Sequence, residues 1–154
     1  MQTAKQLSVQ LVNKPGRFAA VLAALQKEKV AIRAFCVMDT GARGTVRMVP
    51  DDPVRAAKTI EGLNVKVDVA DVLLVEVNGQ SGGLPNLCKR LAEGHLNLDY
   101  AYGSISSGAG SKGNSLAVIK VNDLGKAQRL LSEPAGGAAS RPKKKPGRRP
   151  VHAR

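Results

Sequence analysis

The chain has 154 residues, of which 43% are hydrophobic and only 3% aromatic, with no Trp and a net charge of +12. A packed core fits that composition but must be built from Val, Leu, Ile and Ala, which argues against a base-stacking platform that needs exposed aromatic rings. Seven Lys or Arg and no acid lie between Pro134 and Arg154, so removing them from +12 leaves +5 on the first 133 residues.

Residues 5–12 alternate apolar and polar, with Leu7, Val9 and Leu11 on one side, the pattern of a half-buried strand. Asn13-Lys14-Pro15-Gly16 breaks it with turn chemistry. Phe18, Val21, Leu22 and Leu25 then fall at helical spacing on one face, in a helix ending near Lys29. Residues 30–39 alternate again, and Asp39-Thr40-Gly41-Ala42 turns the chain into a strand at about 43–49. Asp51-Asp52-Pro53 starts a second helix, since an Asp caps free N–H groups and Pro fits the first turn. Val54, Ala57 and Ile60 are its expected buried face, and Gly62 stops it. Val65, Val67 and Val69 mark a fourth strand.

The same order then begins again. Residues 72–77 read as a strand, residues 78–83 as its turn, and Leu84, Leu87, Cys88 and Leu91 as a helix face. Aligning Gly16 with Gly82 matches Phe18 to Leu84, Val21 to Leu87, Leu25 to Leu91, Val30 to Leu96 and Ile32 to Leu98. Strands at about 96–105 and 115–121 flank a longer turn, and a helix follows from Asn122. The second copy lacks its last strand: beyond Glu133 the chain is Pro, Gly, Ala and basic residues, too poor in apolar side chains to fold. The expected division is therefore 4–70, 71–132 and a disordered basic tail, 133–154.

Few constellations carry reaction chemistry. Cys36 and Cys88 are far apart, show no CxxC spacing, and are expected as buried free thiols. No His/Cys set resembles a metal site, and Gly79-Gln80-Ser81-Gly82-Gly83 lacks the Gly-Lys-Ser/Thr ending of a phosphate loop. His95 follows Gly94 at a helix end, where a positive imidazole suits the dipole, and His152 lies in the tail. No catalytic triad or paired-carboxylate set can be assembled, so neither an enzyme nor a cofactor is expected. The N-terminus lacks the apolar run of a secretory signal, and no run approaches the ~20 apolar residues of a spanning helix. A cytoplasmic protein without a membrane partner is the expectation.

The first strand–helix turn reads as a ligand cradle. A helix start leaves N–H groups without intrahelical partners and carries partial positive charge, both suited to a carboxylate. Gly16 lets the backbone approach a ligand closely, and Pro15 stiffens the approach. Asn13 offers a donor and an acceptor, while Lys14 and Arg17 attract the carboxylate. A plain tight connection would use the same Pro-Gly pair. The second turn departs from the first: Ser81 stands for Pro15 and Gly82-Gly83 for Gly-Arg, with Asn78, Ser81 and Gly82 as its candidate contacts. In the tail, Lys143, Lys144, Lys145, Arg148 and Arg149 are interleaved with Pro and Gly. That composition suits salt-sensitive contact with nucleic-acid phosphates, or a solubilising extension.

Two βαββαβ units point to an α+β fold of tandem ferredoxin-like modules. The first strand ending in Asn13-Lys14-Pro15-Gly16-Arg17, the Ala- and Leu-rich helix, and Val30-Ala31-Ile32-Arg33-Ala34 resemble an ACT domain. The paired arrangement resembles the tandem ACT proteins, some relatives of which are regulatory-type subunits of acetolactate synthase. The resemblance covers roughly residues 4–132. It implies an amino-acid effector held at the first strand–helix turn, and helix–helix or edge-to-edge pairing between modules, within a chain or in a homodimer. It also implies contacts from the second strand of a module, here Cys36, Val37 and Met38, or Tyr100 and Tyr102. Any enzyme so regulated must be a separate chain.

Overall fold

Alternation along the first segment becomes β1 (Gln2–Val12) in the computed structural model, with Leu7, Val9 and Leu11 all buried. The structure describes residues 1–39, 41–78, 82–103 and 114–132. After β1 come α1 (Arg17–Lys27), β2 (Ile32–Asp39), β3 (Arg43–Pro50), α2 (Pro53–Glu61) and β4 (Val67–Asn78). The second half supplies α3 (Gly83–Glu93), β5 (Leu98–Gly103), β6 (Asn114–Val121) and α4 (Leu124–Ser132). The α2 start works as its sequence indicates: the Asp52 carboxylate accepts from the Arg55 N–H at 3.0 Å, with Pro53 just inside the helix.

Six strands form one sheet in the order β2-β3-β1-β4-β6-β5, with every neighbouring pair antiparallel. Two cores lie on its helix-covered face. In the first, Leu7, Val9, Val46 and Met48 pack with Val21, Leu25 and Ile60; in the second, Leu73, Val77, Ile119 and Val121 pack with Leu87, Leu91 and Ala127. Register puts both on the same side, because Leu7 pairs with Val69, four residues before Leu73. Burying each such aliphatic side chain stabilises the fold by about 1.5–3 kcal/mol.

The strands read at 65–69 and 72–77 are one continuous strand, β4, so the expected boundary at 70/71 falls inside it. Residues 67–74 of β4 pair with β1, and residues 73–78 pair with β6. The expectation that the second repeat lacks its last strand falls on residues 133–154, which lie outside the described residues. Beside the second half's part of β4, on the side away from β6, Gln2, Thr3 and Ala4 of β1 pair with Leu74, Leu73 and Val72.

The opposite face carries a third cluster, Ala34, Val49, Val72, Leu74 and Val118, flanked by Ala4, Tyr102 and Leu116. These residues are buried where the sheet curls until β5 touches β2. Gln6, fully buried on β1, donates to the Tyr100 hydroxyl at 2.7 Å and accepts from the Tyr102 hydroxyl at 2.9 Å. The Arg47 guanidinium lies 3.9 Å from the centre of the Tyr100 ring.

Three helix-face expectations are corrected. Val54 is 79% exposed, and Ala56 takes its place beside Ile60 in the α2 core face. Leu84 is 57% exposed. Both stand in the first turn of a helix, one residue after its start. Leu22 is exposed on the flank of α1 that carries Phe18, whose ring meets Phe35 of the edge strand at 5.9 Å. Both thiols are free, but only Cys36 is half-buried; Cys88 is exposed on α3, against the expectation of a buried thiol.

Candidate functional site

At the end of β1 the chain turns through residues 13–17, all of them exposed. The Asn13 N–H donates to the Ala42 carbonyl at 3.2 Å, and its side-chain amide donates to the Gly41 carbonyl at 3.5 Å, tying the corner to the β2–β3 connection. The Lys14 N–H closes a three-residue turn onto the Val12 carbonyl at 2.8 Å. Gly16 then caps α1 with φ 82 and ψ −14, a left-handed backbone that favours glycine. The glycine is thus required by conformation, and a Cβ there would meet nothing within 4 Å, so the corner is open.

The helix begins with the Ala20 N–H donating to the Gly16 carbonyl at 2.9 Å. No side chain caps it, and no acid stands in its first turn. The Phe18 and Ala19 amides have no protein acceptor among the described residues. Two unfilled donors, an uncompensated dipole and the cations Lys14 and Arg17 make an electropositive corner that can accept a carboxylate.

The second corner is poorer. Gly82 caps α3 with φ 119, again without a side-chain cap. Pro85 stands where Ala19 stands in the first repeat, so this helix start lacks one of the two donors. Sequence reasoning missed that difference, although the Gly16–Gly82 alignment contains it. Of the other candidates there, the Asn78 backbone ends β4 and Ser81 lies outside the described residues. Each corner follows the C-terminal end of its strand, and β1 and β4 are antiparallel, so the two corners lie at opposite ends of the sheet. They cannot form one shared pocket.

The second-strand candidates separate into two groups. Cys36 and Met38 sit on the curled face, where the Arg47 guanidinium donates to the Met38 sulfur at 3.3 Å. Tyr100 and Tyr102 share that face through Gln6, and burial, with lesser effects of Tyr100 and Cys36, raises the Tyr102 phenol well above its ordinary pKa. Val37 alternates to the helix side and is half exposed. None of the tyrosines lines the Gly16 corner; they join the two halves of the sheet. Lys143, Lys144, Lys145, Arg148 and Arg149 lie outside the described residues.

A cleft of about 840 Å³ lies elsewhere, between α1 and α2, and is lined by residues including Lys27, Glu28, Arg55, Lys58 and Leu63. Arg55 there is already engaged, by Asp52 and by the Glu28 carbonyl. The cleft offers solvent-facing helix flanks with charges of both signs, a weaker match to one carboxylate than the open helix start. Among the described residues no group of His, Cys, Asp and Glu could hold a metal ion, and no helix is long and apolar enough to cross a membrane.

None of the curated proteins compared with the chain matches it. Among solved structures, protein BT0572 from Bacteroides thetaiotaomicron is similar at 26% identity and a TM-score of 0.77, over 84% of this chain and 86% of that one. The regulatory subunit of aspartate kinase from Thermus thermophilus shares the fold at 15% identity and a TM-score of 0.60, over 85% of this chain and 95% of that one. The corresponding subunit from Thermus flavus does so at 14% identity and a TM-score of 0.55, with the same coverage. A family model described as an ACT domain pair matches residues 2–132. With that match spanning both repeats, the chain belongs to the ACT domain pair family.

Proposed function

We propose that this protein is a non-enzymatic regulator that binds a free amino acid at the Gly16 corner. The observation that carries the reading is the open, left-handed glycine cap with the Phe18 and Ala19 amides unfilled beside it. The effector carboxylate accepts from those amides, with Lys14 and Arg17 adding long-range attraction. Asn13 holds its side-chain amide nitrogen toward Gly41, which leaves its carbonyl oxygen for the ammonium group. The second corner, one donor short at Pro85, is the weaker site or none. Family membership supports a regulatory role, exerted on a separate chain that the bound state favours or releases.

A thermal-shift series against the twenty amino acids tests the reading. A specific effector at a hundred times its dissociation constant adds about 2.7 kcal/mol of stability. No shift with any of the twenty would remove its support. The same shift in a Gly16→Val variant, confirmed as folded, would place the site elsewhere. The basic tail supports a second reading, contact with nucleic acid. Full-length and tail-deleted chains compared on duplex DNA at low and moderate salt decide it, and equal affinity would end that reading.

A further inference from the structure

We propose that the curled face of the sheet holds a second binding site, separate from the Gly16 corner, for a small molecule bearing a phosphate group or a similar tetrahedral dianion. The site is built outward from Gln6, whose side chain is fully buried. Its amide nitrogen donates to the Ser8 hydroxyl oxygen at 3.2 Å and to the Tyr100 hydroxyl oxygen at 2.7 Å. One buried nitrogen reaches both oxygens, so the two hydroxyls are neighbours. It also sets their polarity. Each oxygen already accepts from Gln6, so each hydroxyl proton points away from it, and neither proton has an acceptor among the described residues. Ser8 and Tyr100 are both partly exposed, so these two donors reach the surface of the curled face.

Arg47 adds the charge. Register sets it beside Ser8, and its guanidinium lies over the Tyr100 ring. The structure uses its Nη1, which donates to the Met38 sulfur, a weak acceptor. Nε and Nη2 hydrogen-bond nothing among the described residues, yet neither is sealed from solvent. Those two nitrogens form the planar fork that grips an oxyanion through parallel bonds. Lys120 stands opposite Tyr100 on β6, and so on the same face. Its ammonium donates to the Asp71 carbonyl at 3.2 Å. No carboxylate among the described residues pairs with Arg47 or Lys120. Asp68, the acid that register sets beside Ser8, is turned to Lys66 at 3.6 Å. Two cations and two outward hydroxyls exceed what a carboxylate, with one charge and two oxygens, can use; a tetrahedral dianion matches them. The set also lacks a carboxylate to hold an ammonium group, so its ligand is of a different class from a free amino acid.

The chain has two tyrosines and no Trp, and both tyrosines lie on this face, so intrinsic fluorescence reports the site without a label. The probe is inorganic phosphate, titrated into the full chain in exchange for chloride at constant ionic strength and without amino acids. Free tyrosine amide in the same buffers corrects for direct quenching. A saturable change is expected, matched by broadening of the phosphorus NMR resonance. Arg47→Gln should weaken binding about tenfold or more, and Ser8→Ala, which leaves the guanidinium in place, about three- to tenfold. Circular dichroism establishes that each variant is folded, and Ser8→Ala carries the test if Arg47→Gln does not fold. No saturable response, unchanged affinity in either folded variant, or acetate binding as tightly as phosphate would each overturn the proposal. So would loss of binding in Gly16→Val with retention in Arg47→Gln, which would place the anion at the helix start. A failed amino-acid screen would leave all of these outcomes as they stand, so the two readings fail separately.

Discussion

Replacing Tyr102 by Phe removes one hydroxyl from the curled face while keeping the ring that packs there. That hydroxyl donates to the Gln6 side-chain carbonyl at 2.9 Å, and Gln6 is 0% exposed, so water cannot take over the donor's place. An acceptor stranded in this way costs about 1–3 kcal/mol. Gln6→Leu removes the central group instead, and the partly exposed tyrosine hydroxyls can then turn to water, so its cost should not add fully to the first. A double-mutant cycle should return a coupling of at least about 0.5 kcal/mol. Urea unfolding followed by circular dichroism measures all three variants. The same phenol predicts an alkaline signature. Its folded pKa is raised above the ordinary 10.0, chiefly by burial, so the unfolded chain ionises first. Its contribution is therefore complete below about pH 10 and is lost as the pH rises above that value. One proton limits the slope to about 1.4 kcal/mol per pH unit, and partial exposure of the ring makes it shallower. The Phe variant should lack this slope. A Tyr102→Phe loss below about 0.5 kcal/mol, the level of ordinary surface substitutions, would refute the argument that this contact holds the curled sheet.

Gly16→Ala should destabilise the chain by about 1–2 kcal/mol through left-handed strain alone, since its methyl group meets nothing; chemical denaturation of the unliganded protein isolates that term. Asp52→Ala should cost about 1 kcal/mol by leaving the Arg55 amide uncapped, with Asn at the same position recovering most of it in the same assay. Deleting residues 1–4 should strip the ladder from Val72–Leu74, and amide exchange should accelerate in β4 and β6 more than in β3.

Period-two alternation disclosed β1 because one of its faces lies under helices, and Leu7, Val9 and Leu11 are buried as their spacing requires. The same rule hid Gln6. A glutamine between Lys5 and Leu7 reads as solvent-facing, and its real partners lie 94 and 96 residues away on a strand that arrives only because the sheet curls. Helical spacing identified Val21, Leu25, Leu87 and Leu91, yet misassigned Val54 and Leu84. Periodicity gives direction around a helix axis but does not show which residues of a first turn are covered. The repeated order of elements divides residues 65–77 into two strands on either side of Asp71. Pairing to β1 runs straight through it, and its carboxylate meets Lys5 at 2.8 Å. At the candidate site, the sequence located the corner and its glycine. The left-handed φ of Gly16 and the vacant Phe18 and Ala19 donors are properties of folded backbone that residue types alone do not specify.

Because β4 runs unbroken from one core into the other, and the first residues of β1 complete the sheet on behalf of the second half, the duplicated sequence is no longer divisible. A cut within β4 would divide that strand between the fragments, and a cut after it would leave the second half without β4 and the start of β1. The two halves must therefore be made, folded and lost together, and any shift of β4 imposed at one corner is inherited by the core at the other.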